Sequence, residues 1–202
     1  MQNPRLAALR GFDCYHGDGA IDFGRARAAG ASFVFVKASE ADDLADPLYM
    51  RNIAAARRAG LLAGAYHFFA PAADPKRQAQ HLMEVAAPLA QDLIPTLDVE
   101  VYGDDVGPRA LECAEEIKRL CGRFPTLYSG QAFYLAHLRG VFPPETTLWI
   151  ARYGARPDVA CAFWQWTDRA REPGEPHALD GDEFCGGPEE LQELTLGAAV
   201  KM

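Results

Sequence analysis

The sequence has no excess of basic residues and no long apolar run. Its 20 Lys and Arg residues are outnumbered by 28 Asp and Glu residues, which gives a formal net charge of −8. A chain of this charge does not attract phosphate backbones or anionic lipids by its overall field, so we expect no nucleic acid partner. Nowhere do about 18 consecutive apolar residues occur, which argues against membrane insertion.

The sequence also lacks the cysteine, histidine and glycine patterns of several common sites. Its five cysteines are an odd number without a CxxC pair, which predicts neither a disulfide framework nor a zinc site. The histidines show no metal-ligand spacing, so we expect no metal and no other cofactor. No GxGxxG or GxxxxGK[ST] follows an apolar run, which disfavours nucleotide binding.

The beginning of the chain, MQNPRLAALRGFD, contains no apolar run of the signal-peptide type. If the protein acts outside the cytoplasm, we therefore expect that another route exports or releases it.

With 202 residues, 49% of them hydrophobic, the chain can form one sizeable core, and its composition shows no break. We predict a single domain over 1–202, with its core at about 8–187 and a tail at 188–202 that could form a short helix. Nothing predicts an oligomer, so a monomer is expected.

Short apolar runs recur at fairly regular intervals and predict eight strands. They cover 8–13, 32–38, 61–69, 93–101, 124–129, 147–153, 161–167 and 177–184. Helix-like segments separate the earlier runs and cover 21–30, 46–60, 74–90, 107–122 and the shorter 130–140. Among the first four of them, two open with Asp-Pro and three end in Gly, which suits helix starts and ends.

This alternation predicts an α/β protein with a mainly parallel sheet. Eight such strands can close, so we predict an irregular TIM-like β/α barrel of about five βα units followed by three further strands. An open doubly wound sheet is the alternative.

Polar and aromatic side chains collect near the ends of these predicted strands, where barrels form their active sites. They are Asp13, Lys37, Glu40, Tyr66, His67, Asp98, Glu100, Tyr128, Trp149, Arg152, Gln165, Trp166 and Asp180. Aromatic rings stack on sugar faces, while carboxylates and amides hold hydroxyl groups. The set therefore predicts a carbohydrate cleft.

Asp98 and Glu100 are two carboxylates within one predicted strand, IPTLDVEV. Residues i and i+2 of a strand point to the same side, so both would face one pocket. Two close carboxyl groups do not ionise independently, and one is expected to have a raised pKa and act as an acid while the other stays charged. Glycoside hydrolysis uses such a pair. The structural alternative is a pair of solvated residues where the strand ends.

Several of the other residues have structural interpretations. Lys37 and Glu40 could form a structural ion pair, which is the favoured interpretation, or contact the substrate. We interpret His67 as a packed histidine because it points away from Tyr66. Gln165 and Arg152 are predicted sugar ligands, although either could instead satisfy loop carbonyl groups.

A series of motifs along the chain resembles a known family. They are GFD near the start, AIDFGRARAAGASFVFVKASE, AGLLAGAYHFF, IPTLDVE, PTLYSG, LWIARY, FWQWT and LDGDEFCG. From about Gly11 to Gly186 the chain is thereby similar to the glycoside hydrolase family 25 lysozymes, also called Chalaropsis-type muramidases. The resemblance implies a flattened β/α barrel and cleavage of the β-1,4 bond between N-acetylmuramic acid and N-acetylglucosamine in bacterial peptidoglycan.

The resemblance also implies roles for individual residues. Glu100 would be the general acid and Asp98 its partner carboxylate, with Asp13 and Asp180 as further acidic residues of the site. The sugar cleft would be lined by Tyr66, Tyr128 and Trp166. A phage endolysin or a delivered effector would suit the expected route to the cell wall. The alternatives are a barrel that binds amino-sugar polymers without cutting them, and a chitin-type N-acetylglucosaminidase.

Two segments depart from the family pattern. After Asp13 the family usually has a hydrophobic-Ser pair and then Gln-Gly, whereas this chain reads CYHGDG, so the substrate contacts of that loop are expected to differ. Where KATEG is usual the chain reads KASEA, so Ala41 replaces a glycine and the local loop conformation is expected to change.

Overall fold

In the computed structural model, which describes residues 8–170 and 179–198, nine strands form one sheet that closes on itself. The strands are β1 Leu9–Cys14, β2 Ala31–Glu40, β3 Leu44–Ala45, β4 Leu62–Phe68, β5 Thr96–Asp98, β6 Thr126–Gly130, β7 Leu148–Ala151, β8 Phe163–Ala170 and β9 Leu179–Phe184. Eight of them form the barrel. The two-residue strand β3 lies beside β2 and was not predicted.

Strand pairing confirms the predicted irregular barrel and excludes the open sheet. Neighbouring strands follow the order β1-β9-β8-β7-β6-β5-β4-β2, and a parallel pairing of β1 with β2 closes the circle. All barrel pairings are parallel except those of β9, which runs antiparallel to both β8 and β1. Because of this reversal, the beginning of β9 lies at the edge where the other strands end.

The helices cover the outside of the barrel. They are α1 Phe23–Ala28, α2 Tyr49–Arg58, α3 Pro75–Ala86, α4 Val106–Cys121, α5 Gln131–Phe133 and α6 Pro188–Glu193, and α5 continues into a π-helical turn, Tyr134–Leu138. The three predicted terminal glycines, Gly30, Gly60 and Gly122, all have positive φ angles, as expected where a helix ends in the left-handed region. None of the helices among residues 8–170 and 179–198 has the length and apolar character needed to cross a bilayer.

The two Asp-Pro helix starts behave differently. The Asp74 carboxylate accepts a hydrogen bond from the Arg77 backbone amide, with Pro75 as the first helical residue, as predicted. Asp46 does not cap α2, which begins at Tyr49. The buried Asp46 carboxylate instead accepts hydrogen bonds from the backbone amides of Leu48 and His16, and it therefore organises the loop before the helix.

The barrel separates two apolar layers by simple alternation along the strands. In β2, Phe33 and Phe35 point into the barrel, whereas Val34 and Val36 point towards the helices. The interior is filled mainly by aromatic side chains, namely Phe33, Phe35, Tyr66, Tyr128, Trp149, Phe163 and Phe184. Phe35 stacks on Trp149 at 4.4 Å between ring centroids. The barrel is therefore solid at its middle and leaves space only at its ends.

The tail packs against the barrel and includes the short helix that the sequence suggested. Leu191 of α6 is 2% exposed and belongs to the interior aromatic cluster. Backbone hydrogen bonds from Ile94 to Leu194 and from Leu196 to Asp92 attach the segment that follows. The tail thus covers one end of the barrel. Residues 199–202 lie outside the described residues.

Two predicted strands have different limits in the structure. The predicted strand at 93–101 is reduced to Thr96–Asp98, so Glu100 follows the strand rather than belonging to it. The last predicted strand began at 177, and its first two residues lie outside the described part of the chain. Its described part forms β9.

Ala41 occupies a backbone conformation that favours glycine. It follows β2 at the turn into β3 and has a φ of 51°. Because a Cβ atom is unfavourable in this region, we expect Ala41→Gly to raise the free energy of unfolding by about 1 kcal/mol. Ala54→Gly, in the middle of α2, should lower it by about 0.5–1 kcal/mol. Chemical denaturation of the three proteins measures both effects, and equal destabilisation by the two changes would contradict the interpretation.

Candidate active site

A cleft of about 450 Å³ opens at the edge of the barrel where the parallel strands end. The aromatic interior forms its floor, and each strand contributes the last inward-pointing side chains before the chain turns away. Its lining contains Asp13, Tyr15, Asp18, Lys37, Tyr66, Phe68, Asp98, Glu100, Tyr128, Trp149, Gln165, Asp168 and Asp180. The cleft is therefore rich in carboxyl groups and aromatic rings.

Asp98 and Glu100 both line this cleft, but in different surroundings. Asp98 is the last residue of β5 and is 6% exposed, whereas Glu100 is exposed to solvent. The Oδ1 atom of Asp98 is buried and has no hydrogen-bond partner among the described residues. One carboxyl group of the pair is therefore held in the wall, and the other is open to the cleft.

The charges of this pair depend on burial and on Lys37. Burial raises the pKa of Asp98 well above its usual value, and the nearby Glu100 raises it further. Partial burial in the cleft also raises the pKa of Glu100, while the ammonium group of Lys37 lowers the pKa of both. The sequence predicts a raised pKa for only one carboxyl group of the pair. The pKa of both is raised, because the wall of the cleft shields both from water.

Lys37 combines the two roles that the sequence left open. Its Nζ atom donates to Glu40 Oε2 at 2.7 Å and lies 4.8 Å from the ring centroid of Phe68. The same side chain lines the cleft, whereas Glu40 lies in an adjoining groove. The ion pair therefore fixes a positive charge beside Asp98 and Glu100.

Asp13 and Gln165 are connected across the cleft floor. Gln165 Nε2 donates to Asp13 Oδ2 at 2.8 Å, and its Oε1 accepts from the Tyr128 hydroxyl at 2.9 Å and from the Tyr153 hydroxyl at 3.2 Å. Asp180 is directly opposite Asp13 in the pairing of β1 with β9. Asp180 reaches the cleft because β9 is antiparallel and begins at this edge of the barrel. The sequence predicted the same location for a different reason, namely as a residue near the end of a parallel strand.

Asp182 is a buried carboxyl group of this network that the sequence interpretation missed. Its Oδ1 accepts a hydrogen bond from Trp149 Nε1 at 2.8 Å. Its Oδ2 is buried and has no hydrogen-bond partner among the described residues. Burial is the main cause that raises the pKa of both Asp182 and Asp13, and the negative charge of Asp182 raises the pKa of Asp13 further. Asp182 lies two residues after Asp180 in the same predicted strand, and this spacing was the signal in the sequence that could have placed it on the same side as Asp180.

The structure does not bring every predicted ligand to the cleft. Arg152 pairs with Asp158 at 2.7 Å and donates to the Arg156 carbonyl group, so its guanidinium group is used outside the cleft lining. Trp166 is 39% exposed and is also absent from the lining, where Trp149 supplies the indole ring instead. The unusual CYHGDG segment contributes Tyr15 and Asp18.

His67 packs behind the cleft, as its alternation with Tyr66 predicted. It is fully buried between β4 and α3, with Nδ1 at 2.8 Å from Ser39 Oγ and Nε2 at 3.2 Å from Gln78 Oε1. Since the amide oxygen can only accept, Nε2 carries the proton and Nδ1 accepts from the serine. Burial lowers the pKa of His67 to about 4, so it remains neutral near pH 7.

Comparison with known proteins gives a consistent result. The model of the family "Glycosyl hydrolases family 25" matches residues 12–175. The chain is 35% identical over 173 residues to the uncharacterized protein YegX of Escherichia coli K12, covering 82% of this chain and 63% of that protein. It is 28% identical over 188 residues to the autolytic lysozyme of Clostridium acetobutylicum, covering 89% and 56%. The chain thus spans less than two thirds of the length of these relatives.

Solved structures show the same fold. A bacterial lysozyme from Streptomyces coelicolor superposes with a TM-score of 0.88 at 23% identity, covering 96% of this chain and 99% of that one. A family 25 glycosyl hydrolase from Bacillus anthracis superposes with a TM-score of 0.84 at 25% identity, covering 93% of both chains.

The carboxyl groups of the cleft should make stability depend on pH. Burial, and then the charges of Asp18, Asp168 and Glu100, raise the pKa of Asp180 to about 6. The unfolded chain loses this proton at lower pH than the folded protein, so the free energy of unfolding falls as pH rises from about 4 to 6. We expect Asp180→Asn to be more stable than the wild type at pH 7, by on the order of 1 kcal/mol, and to lose that advantage near pH 4.

Urea denaturation at several pH values measures this difference. Asp43→Asn, which removes an exposed carboxylate from the turn between β2 and β3, is the matched control and should keep the pH dependence of the wild type. If the two variants responded to pH alike, the cleft would not be the source of the effect.

Proposed function

Because the chain belongs to glycosyl hydrolase family 25, we propose that it is a lysozyme of the N-acetylmuramidase type. Its substrate would be the glycan strand of bacterial peptidoglycan, cleaved at the β-1,4 bond between N-acetylmuramic acid and N-acetylglucosamine. Family membership supports the class of reaction. The named linkage, the residues and the biological setting are part of the proposal.

The observation that carries the proposal is the unequal placement of Asp98 and Glu100 in one cleft. Glycoside hydrolysis needs a proton for the leaving oxygen and a group that stabilises the sugar as positive charge develops on its ring. Glu100 is exposed to the cleft, so it can reach a glycosidic oxygen, and its raised pKa favours the protonated form that a general acid needs. Asp98 lies deeper in the wall, where a sugar bound in the cleft would pass beside it.

We assign the proton transfer to Glu100. As the bond between the anomeric carbon and the glycosidic oxygen breaks, its carboxyl group gives a proton to that oxygen and becomes a carboxylate. It then accepts a proton from the water that attacks the anomeric carbon, which restores the acid. The exposed position of Glu100 gives the incoming water access to this carboxylate.

We assign the orientation of the substrate to Asp98. Its buried Oδ1 has no partner within the described part of the chain, and such an acceptor is costly unless a ligand donates to it. The amide N–H of an N-acetyl group is a suitable donor. Held in this way, the acetyl carbonyl oxygen can attack the anomeric carbon, so that the substrate supplies the nucleophile. In a direct displacement the same carboxylate would stabilise the positive charge, which is the second form of the proposal.

The remaining lining fits an amino-sugar chain. The rings of Tyr66, Tyr128 and Trp149 offer apolar surfaces, while Asp180 and the fixed Gln165 amide offer polar groups. The Gln165 amide is held by Asp13 and Tyr128, so its orientation is set before substrate binds. How the enzyme reaches the wall is a separate proposal, namely release as a phage endolysin or delivery as an effector.

We expect Glu100→Gln to reduce the release of new reducing ends from purified peptidoglycan by about 100-fold or more, because a positioned general acid contributes at least that factor. Asp98→Asn should lower kcat more than it changes KM. Mass spectrometry of the fragments identifies the new ends, which should be N-acetylmuramic acid. Glu112→Gln, which removes a surface carboxylate of α4 that is paired with Lys76 of α3, is the matched control and should stay active.

Chitin oligosaccharides, incubated in parallel, distinguish the alternatives. Cleavage of chitin but not of peptidoglycan would favour an N-acetylglucosaminidase. Binding of either polymer by the wild type without any new ends would refute the enzyme proposal.

The rate should fall as pH rises through the raised pKa of Glu100, because the acid must carry a proton to act. Lys37→Met removes the positive charge that lowers the pKa of Glu100, so we expect the alkaline limb of the profile of kcat/KM against pH to move to higher pH. Lys76→Met, which changes a residue of α3 outside the cleft lining, should leave the profile unchanged. An alkaline limb at the same pH in Lys37→Met would contradict this electrostatic assignment.

A further inference from the structure

Two cysteines come together at the end of the barrel that lies opposite the cleft. Cys161 precedes β8 by two residues, and Cys185 follows directly after β9. In the antiparallel pairing of these strands Phe163 is opposite Phe184, so the beginning of β8 and the end of β9 are adjacent. The Cys185 backbone amide donates to the Ala162 carbonyl oxygen at 2.7 Å, which holds the two chain segments side by side.

The two thiol groups are close enough to interact and differ in exposure, since Cys161 is half-buried and Cys185 is exposed. Arg156 Nη1 donates to Cys185 Sγ, at 3.6 Å. The Cys161 thiol, which has the larger influence, and the Arg156 guanidinium group lower the pKa of Cys185 to about 7.

The guanidinium group of Arg156 is itself held in position. It lies 4.8 Å from the ring centroid of Trp164 and forms an ion pair with Glu183. The other cysteines have no such surroundings, since Cys14 and Cys113 are buried and Cys121 donates to the Arg123 carbonyl group.

We propose that Cys161 and Cys185 form a thiol–disulfide exchange site, which closes to an intramolecular disulfide when a small-molecule or protein disulfide supplies the oxidising equivalents. An exposed attacking sulfur beside a protected second thiol is the arrangement that such exchange requires. The site lies away from the cleft and does not depend on the proposed hydrolysis.

The reaction consists of two exchange steps. The Cys185 thiolate attacks one sulfur of a disulfide RSSR, forming a mixed disulfide and releasing RS⁻. Cys161 then loses its proton and attacks Cys185 Sγ, which forms the Cys161–Cys185 bond and releases the second RS⁻. Two thiols are oxidised and one disulfide is reduced to two thiols, so the electrons balance.

The bond would join β8 and β9 where they leave the barrel. It closes a loop of about 25 residues, and such a restraint on the unfolded chain raises stability. Gln165, Asp180 and Asp182 lie on the same two strands, towards the cleft end. The disulfide would therefore reinforce the strand pair that carries part of the cleft, and it would persist only in oxidising surroundings.

The test treats the reduced full-length chain with glutathione disulfide near neutral pH. We expect the wild type to lose two of its five thiols and two hydrogen atoms of mass, and peptide mapping should find Cys161 joined to Cys185. The melting temperature should rise by roughly 5–10 °C and return after dithiothreitol. Cys121→Ser, the matched control, should form the same bond.

Two variants separate the steps of the exchange. Cys161→Ser should stop at a stable mixed disulfide of Cys185 with glutathione, and Cys185→Ser should react slowly or not at all. A wild type that keeps all five thiols, or that accumulates glutathione on Cys185 without a cross-link, would overturn the proposal. Peptidoglycan hydrolysis is not a readout here, so failure of this test is distinct from failure of the proposed function.

Discussion

Barrel closure is the constraint on which the rest of this structure depends. Once β1 pairs with β2, every strand must send alternate side chains into one shared interior. At the middle level that interior is filled by Phe33, Phe35, Trp149 and Phe163, which contact one another as stacked or edge-on rings. The next inward positions have no such neighbours above them, so they form an open cleft on an aromatic floor.

The cleft contains carboxyl groups whose burial opposes their ionisation. Asp13, Asp98 and Asp182 are almost fully buried, and burial is the main cause of their raised pKa values. Asp13 and Asp182 offset this cost by accepting hydrogen bonds from Gln165 and Trp149. For Asp98 Oδ1 there is no hydrogen-bond partner among the described residues. The cost of burial is therefore least compensated at Asp98.

Much of the fold and part of the cleft could be predicted from local patterns. Strand and helix order, the terminal glycines and the packing of His67 follow from periodicity and from residue preferences that neighbouring residues determine. The resemblance of the motifs to family 25 predicted the same barrel. The positions of Arg152 and Trp166 outside the cleft could not be predicted, because Arg152 is held by the later residue Asp158 and β8 is irregular after Gln165.

The chain's own pattern of residues was enough to predict an α/β barrel and to place Asp98 and Glu100 together on one segment, since both predictions depend on spacing within a few residues. Three features required the folded barrel. The reversed direction of β9 brings Asp180 and Asp182 to Asp13, the depth of the wall makes Asp98 more buried than Glu100, and the end of the pair formed by β8 and β9 brings Cys161 beside Cys185. The first and the third are contacts between distant parts of the chain, and the second is a difference in burial between near neighbours in sequence. Only tertiary packing decides such contacts and burial.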